Sequence, residues 1–239
     1  GALDWTNAAI YMGMLDWAEL AETEMGDASY YDWLVKLGRR YGWQPDKRMY
    51  HADDIAVGQV FIDLYNKYKD KNMLYPTQAR AEWVVNHPSD GPMDLDYKKR
   101  ETLERWTWCD ALYMAPPVYV KLYMLTGDKR FIKFMNKEYK ATYDLLFDKD
   151  ERLFYRDSRY LTQKEANGAK VFWGRGNGWV LGGLAEMLQD FPKNDKNRKF
   201  YEELFVTLSA RVAELQSADG FWHASMLDPA SYPSPETSA

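Results

Sequence analysis

The sequence has little of what several classes of protein require. It holds a single cysteine, Cys109, so an intrachain disulfide is excluded. No apolar run approaches the roughly 18 residues that a membrane span needs, so no membrane partner is expected. Basic residues number 31 against 36 acidic ones, which gives a net charge of −5. Because no long basic run is present either, nucleic acid is excluded as a partner.

Signatures of bound groups are missing as well. The chain has no Walker loop, no Rossmann fingerprint and no set of residues with the spacing of metal ligands. We therefore expect neither a cofactor nor a metal. The chain opens Gly-Ala-Leu-Asp-Trp without a secretory signal, which leaves the compartment open between a bacterial periplasm and a cytoplasm. The oligomeric state is equally open.

Aromatic residues are abundant. They make up 16% of the chain, with 10 Trp and 18 Tyr, a share that suits a sugar-binding protein because flat rings pack on sugar C–H faces. Most of them would also serve as the filling of a helical core.

Apolar periodicity predicts an all-α fold. The predicted helices span residues 4–24, 28–42, 53–69, 73–86, 106–125, 129–147, 178–191 and 196–216, with a short hairpin over 149–161. A capping residue followed by an apolar residue three positions later opens the second helix of each pair, at Asp27, Asp70, Asp128 and Asn197. Very apolar helices alternate with amphipathic ones. The pattern therefore predicts stacked α-hairpins in an inner and an outer ring.

The stretch from Trp106 to Val118 is the most apolar, and we predict that it is one buried helix with a kink at its Pro-Pro pair. Asp110 lies in its middle, on one helical face with Trp106 and Met114. A carboxyl among tryptophans is expected to have a raised pKa, which suits a general acid. A buried Asp that ties two helices together by hydrogen bonds is the alternative.

Two motifs carry a family resemblance. Trp-Cys-Asp-Ala-Leu-Tyr-Met-Ala-Pro-Pro (108–117) and Phe-Trp-Gly-Arg-Gly-Asn-Gly-Trp (172–179) resemble the unsaturated rhamnogalacturonyl and glucuronyl hydrolases, glycosidase families 105 and 88, with the nearer match to 105. The resemblance implies an (α/α)6 barrel of six helical hairpins. It also implies an enzyme that removes the 4,5-unsaturated uronic acid that a lyase leaves at the non-reducing end of an oligosaccharide, so its partner would be an unsaturated oligouronide.

Eight predicted helices make only four of those six hairpins. In the family, a segment like Glu236-Thr237-Ser238 begins a further inner helix. We therefore expect residues 1–239 to be one α/α-barrel domain that is truncated at its C-terminus.

The resemblance assigns roles to aspartates. It makes Asp110 the general acid/base that protonates C4 of the double bond, after which water adds at C5 and the ring opens. A second aspartate of the family lies near Asp53 and Asp54. Because adjacent helical residues point about 100° apart, only one of these two is expected to face the site. We predict Asp53 as the helix N-cap and Asp54 as the site residue, with the reverse left open.

Other candidate residues bind substrate. Trp173, Arg175 and Trp179 match the family's Trp-x-Arg-Gly-x-x-Trp pattern, which implies a cavity-lining loop with Arg175 on the uronate carboxylate. Their glycines would let the backbone approach a ligand. The remaining candidates are weaker on sequence grounds: Trp5, Asn7, Trp222 and His223.

One position departs from the family. Arg156 stands where some family members carry a catalytic His, and an arginine cannot act as a base but can clamp an acidic group. This weakens a rhamnogalacturonan-specific interpretation. Two other hypotheses stay open: another α/α-barrel activity, either a polysaccharide lyase or a sugar epimerase, and a non-catalytic carbohydrate-binding remnant.

Overall fold

The computed structural model describes residues 2–232, and within them the chain is built from helical hairpins. The helices are α1 (Trp5–Met25), α2 (Ser29–Arg40), α3 (Ala52–Ile55), α4 (Gly58–Tyr68), α5 (Lys71–Asn86), α6 (Ala111–Met114), α7 (Pro116–Thr126), α8 (Lys129–Leu146), α9 (Gly174–Asp190) and α10 (Arg198–Glu214). One antiparallel pair of short strands follows α8, β1 (Phe147–Asp148) and β2 (Leu153–Phe154). Residues Glu236 to Ser238 lie outside the described part.

The hairpins form two layers. Helices α1, α4, α7 and α9 pack on one another in sequence, and each also packs on the following long helix, α2, α5, α8 or α10. The inner α7 is apolar on most sides, whereas the outer α2 and α8 bury one stripe each. The predicted stack with an inner and an outer ring is confirmed for the part of the ring that residues 2–232 make.

Local capping sets the beginnings of several helices. Asp4, Asp70 and Asp128 are N-caps whose carboxylates accept backbone N–H bonds. Asp27 lies one residue before the α2 N-cap, and its carboxylate accepts the Ser29 N–H at 2.9 Å. Asn197 makes no side-chain cap bond. The capping signal therefore predicted all four helices, although two of the four residues do not cap as expected.

The predicted helix over 106–118 is wrong in its first turn. Helix α6 begins only at Ala111, because Trp108 makes a β-bridge with Asp157 and the Cys109 N–H donates to the Arg156 carbonyl at 2.8 Å. Trp106 therefore does not share a helical face with Asp110. The predicted kink is confirmed, since α6 ends at Met114 and α7 starts at Pro116.

Helix α9 begins earlier than predicted, at Gly174, so Arg175 and Gly176 lie in its first turn and not in a loop. Its glycines serve packing. A Cβ on Gly183 would meet the Leu112 carbonyl oxygen at 2.2 Å, and one on Gly176 would meet Cys109 Sγ at 2.8 Å. At Gly176 the expectation of ligand access to the backbone is therefore corrected, because protein atoms fill the space beside it. The glycines let α9 approach α6 closely.

One face of α1 remains exposed in the described structure. Ile10, Trp17 and Leu20 are 61%, 45% and 49% exposed and recur at helical spacing. On α9, in contrast, Val180 and Leu184 are fully buried. Within residues 2–232, no helix has both the length and the apolarity to cross a membrane.

Candidate active site

A cavity of about 240 Å³ opens where the inner helices begin, and we call it the carboxyl cavity. It is lined by side chains from the start of α1, the α3 region, the linker before α6, α6 itself and the segment after β2. These residues are Trp5, Arg48, His51, Asp53, Tyr97, Leu103, Trp108, Asp110, Met114 and Arg156. Two carboxyls, two guanidiniums and two tryptophans thus meet in one concave space, as in many sugar-binding sites.

Asp110 lies immediately before α6, where the chain leaves the bridge with Asp157 and turns into the helix. Burial raises the pKa of its carboxyl, an effect opposed by the hydrogen bond from Cys109 and the positive charge of Arg156. The Cys109 thiol donates to Asp110 Oδ1 at 3.2 Å. Burial raises the pKa of that thiol well above its usual range, so Cys109 remains a neutral donor.

Asp53 is the second carboxyl of the cavity. Burial, followed by the negative charge of Asp110, raises the pKa of Asp53 to about 7. The two groups interact and therefore titrate as a unit, which we call the carboxyl pair. Near neutral pH the carboxyl pair retains a proton that isolated aspartates would have lost.

The predicted orientation of Asp53 and Asp54 is reversed. Asp54 is 2% exposed and does not line the cavity. Its carboxylate accepts the Arg48 backbone N–H at 2.6 Å and the Arg48 Nε–H at 3.0 Å, so it fixes the loop before α3. The N-cap of α3 is His51, which makes Asp53 free to face the cavity. The sequence did not predict this arrangement, because the usual N-cap residues are Ser, Thr, Asp and Asn, and His51 is none of these.

His51 does more than make hydrogen bonds in a loop. Its Nδ1 accepts the Asp53 N–H at 3.3 Å, and its ring lies 4.7 Å from the Trp108 ring. Burial and the charge of Arg48 lower the pKa of His51 to about 4, so the imidazole is neutral in the cavity wall. It positions Asp53 and packs on Trp108.

Arg156 joins the carboxyl cavity to a second cavity of about 310 Å³, which we call the arginine cavity. The arginine cavity is lined by Arg156, Tyr160, Glu165, Val171, Trp173, Arg175, Ala224, Ser225 and Tyr232. The guanidinium carbons of Arg156 and Arg175 lie 5.5 Å and 4.4 Å from the centroid of the Trp173 ring. Trp173 and Arg175 thus lie beside the carboxyl cavity without lining it.

Four other candidates make structural contacts and line neither cavity: Trp179, Asn7, Trp222 and His223. Trp179 packs edge-on against Trp5 with ring centroids 6.0 Å apart, which supports a tryptophan that does line the carboxyl cavity. The Asn7 side chain donates to the N-cap Asp4 at 3.1 Å. The Trp222 Nε1–H donates to the Val212 carbonyl at 2.7 Å, and His223 Nδ1 lies 2.9 Å from the Tyr232 carbonyl. Their contact with substrate stays a prediction, which the lining of the two cavities does not support.

Several lining residues were not predicted. Tyr97 and Leu103 belong to the linker between α5 and α6, where no periodicity or motif singles out a residue. Arg48 lies in the turn-rich segment before α3. An arginine at position 156 implies a hydrogen-bond acceptor nearby, but nothing in the sequence identifies the Tyr97 hydroxyl as that acceptor. Among residues 2–232, no group of three or more His, Cys, Asp or Glu side chains could hold a metal ion.

Comparison with known proteins gives relatives of the same architecture. An unsaturated 3S-rhamnoglycuronyl hydrolase of Formosa agariphila is 37% identical over 98% of this chain and 63% of its own length, so the chain spans less than two thirds of that relative. A solved family 88 glycosyl hydrolase of Bacteroides vulgatus is 27% identical, with a TM-score of 0.86 over 98% of this chain and 68% of that protein. A solved protein described as a polysaccharide lyase is 30% identical, with a TM-score of 0.87 over 100% of this chain and 68% of its own.

These comparisons confirm the predicted fold class, the helical barrel of the unsaturated glucuronyl hydrolases. They also narrow the predicted pair of families to one of the two. The family model that matches residues 1–239 is that of Glycosyl Hydrolase Family 88, to which family 105 is related. The chain belongs to glycoside hydrolase family 88.

Proposed function

We propose that the protein containing this chain removes a 4,5-unsaturated uronic acid from the non-reducing end of lyase-generated oligosaccharides. The observation that carries the proposal is the carboxyl pair, Asp53 and Asp110, in a cavity walled by tryptophans and closed by Arg156. Its raised pKa values supply a proton near neutral pH. The Formosa agariphila relative, described as an unsaturated 3S-rhamnoglycuronyl hydrolase, supports the same reaction class.

The chemistry needs one group that gives a proton and takes one back. Asp110 donates its proton to C4, and the electron pair of the C4=C5 bond forms the new C4–H bond. Water then adds at C5 and returns a proton to the Asp110 carboxylate. The resulting hemiketal opens and releases the neighbouring sugar, so the sum is the addition of one water. Because this route bypasses the anomeric carbon, it does not need two carboxylates on opposite faces of a glycosidic bond.

Asp53 keeps the proton on the pair. Because two negative charges in one small cavity are unfavourable, ionisation of either carboxyl opposes ionisation of the other, and the pair holds one proton up to about pH 7. Trp5 and Trp108 offer aromatic faces for the uronate ring. The proposed contact between Arg175 and the uronate carboxylate is less direct than expected, since Arg175 lines the arginine cavity.

The test follows the ultraviolet absorbance of the conjugated double bond. A lyase-generated unsaturated disaccharide incubated with the protein is expected to lose this absorbance as the free aglycone sugar appears. A second candidate, a polysaccharide lyase, is favoured by the 30% identical solved protein of that description. A lyase would raise the absorbance of an intact uronate-containing polysaccharide and leave the unsaturated disaccharide unchanged. That result would refute the proposed hydrolase.

A further inference from the structure

Arg156 is the one described side chain that lines both the carboxyl cavity and the arginine cavity. Its guanidinium therefore lies at the junction of the two cavities. Neither the family motif nor the general acid chemistry of Asp110 accounts for an arginine here. Its contacts show what it could bind.

Hydrogen bonds to two protein side chains fix the Arg156 guanidinium. Its Nη1–H donates to Asp157 Oδ2 at 2.8 Å, and its Nη2–H donates to the Tyr97 hydroxyl at 3.0 Å. Asp157 is fully buried, and Tyr97 reaches across from the linker before α6. These bonds use two of the five N–H groups of a guanidinium. Three N–H groups have no described protein acceptor, while the side chain is 28% exposed toward the cavities.

Arg156 shares its buried counter-ion with a second arginine. Asp157 is the buried anion behind Arg156, but it also accepts bonds from Arg159 Nε at 2.8 Å and Arg159 Nη2 at 2.9 Å. One carboxylate thus faces two guanidiniums. The Arg175 guanidinium lies beside the same Trp173 ring that the Arg156 guanidinium contacts. A guanidinium fixed in this way is preorganised for a planar or tetrahedral anion.

We propose that Arg156 forms an anion site at the junction of the two cavities and binds a carboxylate or a sulfate ester of the saccharide substrate. The inference rests on the proposed function, because it takes the ligand to be an unsaturated oligosaccharide. Two groups have this chemistry: the uronate carboxylate, reached from the carboxyl cavity, and an anionic ester on the neighbouring sugar, reached from the arginine cavity. Tyr97 and Asp157 act as positioning residues for the guanidinium.

The test compares R156Q with the matched control R159Q. Arg159 contacts the same buried Asp157 but lines neither cavity. Three unsaturated disaccharides are used. The first has a free uronate and a neutral aglycone sugar. The second is the methyl ester of that uronate, and the third has the free uronate and a sulfate ester on the aglycone sugar. Dissociation constants are measured by tryptophan fluorescence, since Trp108 and Trp173 line the cavities, and KM and kcat are measured alongside.

R156Q is expected to weaken binding of the anionic ligand by about 10-fold to 100-fold, the range for a charged hydrogen-bond pair, with a smaller change in kcat. If the loss is absent for the methyl ester, the uronate carboxylate is the bound group. If it is largest for the sulfated disaccharide, the bound group is the ester on the neighbouring sugar. R159Q is expected to stay within about twofold of wild type for all three.

Equal losses for all three disaccharides, or equal losses in R156Q and R159Q, would overturn the anion site. Fluorescence titration separates this failure from failure of the proposed function. A wild-type protein that binds the disaccharides with the expected dependence on Arg156 but converts none of them would refute the hydrolase and retain the anion site. Thermal unfolding of both variants checks that each has folded.

Discussion

Replacing Asp53 by asparagine is expected to stabilise the protein above pH 7 while it impairs the site. The folded protein raises the pKa of Asp53 from 3.8 to about 7, through burial and the charge of Asp110. In the unfolded chain the carboxyl ionises near its usual value. Between these two values the unfolded state therefore binds fewer protons than the folded state, and the free energy of unfolding falls as pH rises.

The size of the effect follows from the shift. Each pKa unit corresponds to about 1.4 kcal/mol, so a shift of roughly three units lowers wild-type stability by about 4 kcal/mol between pH 4 and pH 7, with no further loss above. The neutral Asn of D53N does not ionise. The stability of D53N relative to wild type should therefore grow by about 4 kcal/mol from pH 4 to pH 8, a large fraction of the total for a domain.

The assay is denaturant unfolding of both proteins at pH 4, 6 and 8, with D54N as the matched control. Asp54 is the adjacent residue but is bonded to Arg48, so D54N breaks a buried hydrogen-bonded pair and should destabilise by about 1–3 kcal/mol at neutral pH. Above pH 7 the two neighbouring substitutions should therefore change the free energy of unfolding in opposite directions, an increase for D53N and a decrease for D54N. A D53N difference from wild type that does not vary with pH would refute the account of the carboxyl pair.

Three further outcomes follow. The value of kcat/KM should fall above about pH 7 as the carboxyl pair loses its proton, and D53N should move this limb of the rate profile to lower pH; an unmoved limb would exclude Asp53 from the titrating unit. G176A should lower the free energy of unfolding by about 1–3 kcal/mol, measured by denaturant unfolding, because the added Cβ would lie 2.8 Å from Cys109 Sγ. G13A should not lower it, because no atom lies within 4 Å of the added Cβ. The 239-residue chain should bind a hydrophobic dye at Ile10, Trp17 and Leu20, and L20K should reduce the dye fluorescence.

The sequence predicted the helices well because their signals are local. Apolar periodicity located α1, α2 and α8 to within two residues at each end, and the Pro-Pro pair located the break between α6 and α7. The sequence did not predict contacts between segments that are distant in the chain. The bridge of Trp108 with Asp157 shortens the helix predicted over 106–118. Gly176 packs closely on Cys109 in the first turn of α9, where the sequence predicted a ligand-binding loop.

The candidate site was predicted in part for the same reason. Asp110, Trp5 and Arg156 line the carboxyl cavity, and Asp53 does so in place of Asp54. The choice between the two aspartates depended on which side chain caps α3, and a capping His51 could not be foreseen from cap preferences. Tyr97 lines the cavity and accepts a hydrogen bond from Arg156, which lies 59 positions away in the chain.

The most direct test of the central claim is the turnover of an unsaturated disaccharide by wild type and D110N. Asparagine keeps the size of the side chain but removes the proton that Asp110 would give to C4. Wild type should abolish the double-bond absorbance and release the aglycone sugar, and D110N should do so about 10²–10⁴ times more slowly, the usual contribution of a general acid. A folded D110N variant that consumes the double bond at close to the wild-type rate would contradict the role of Asp110.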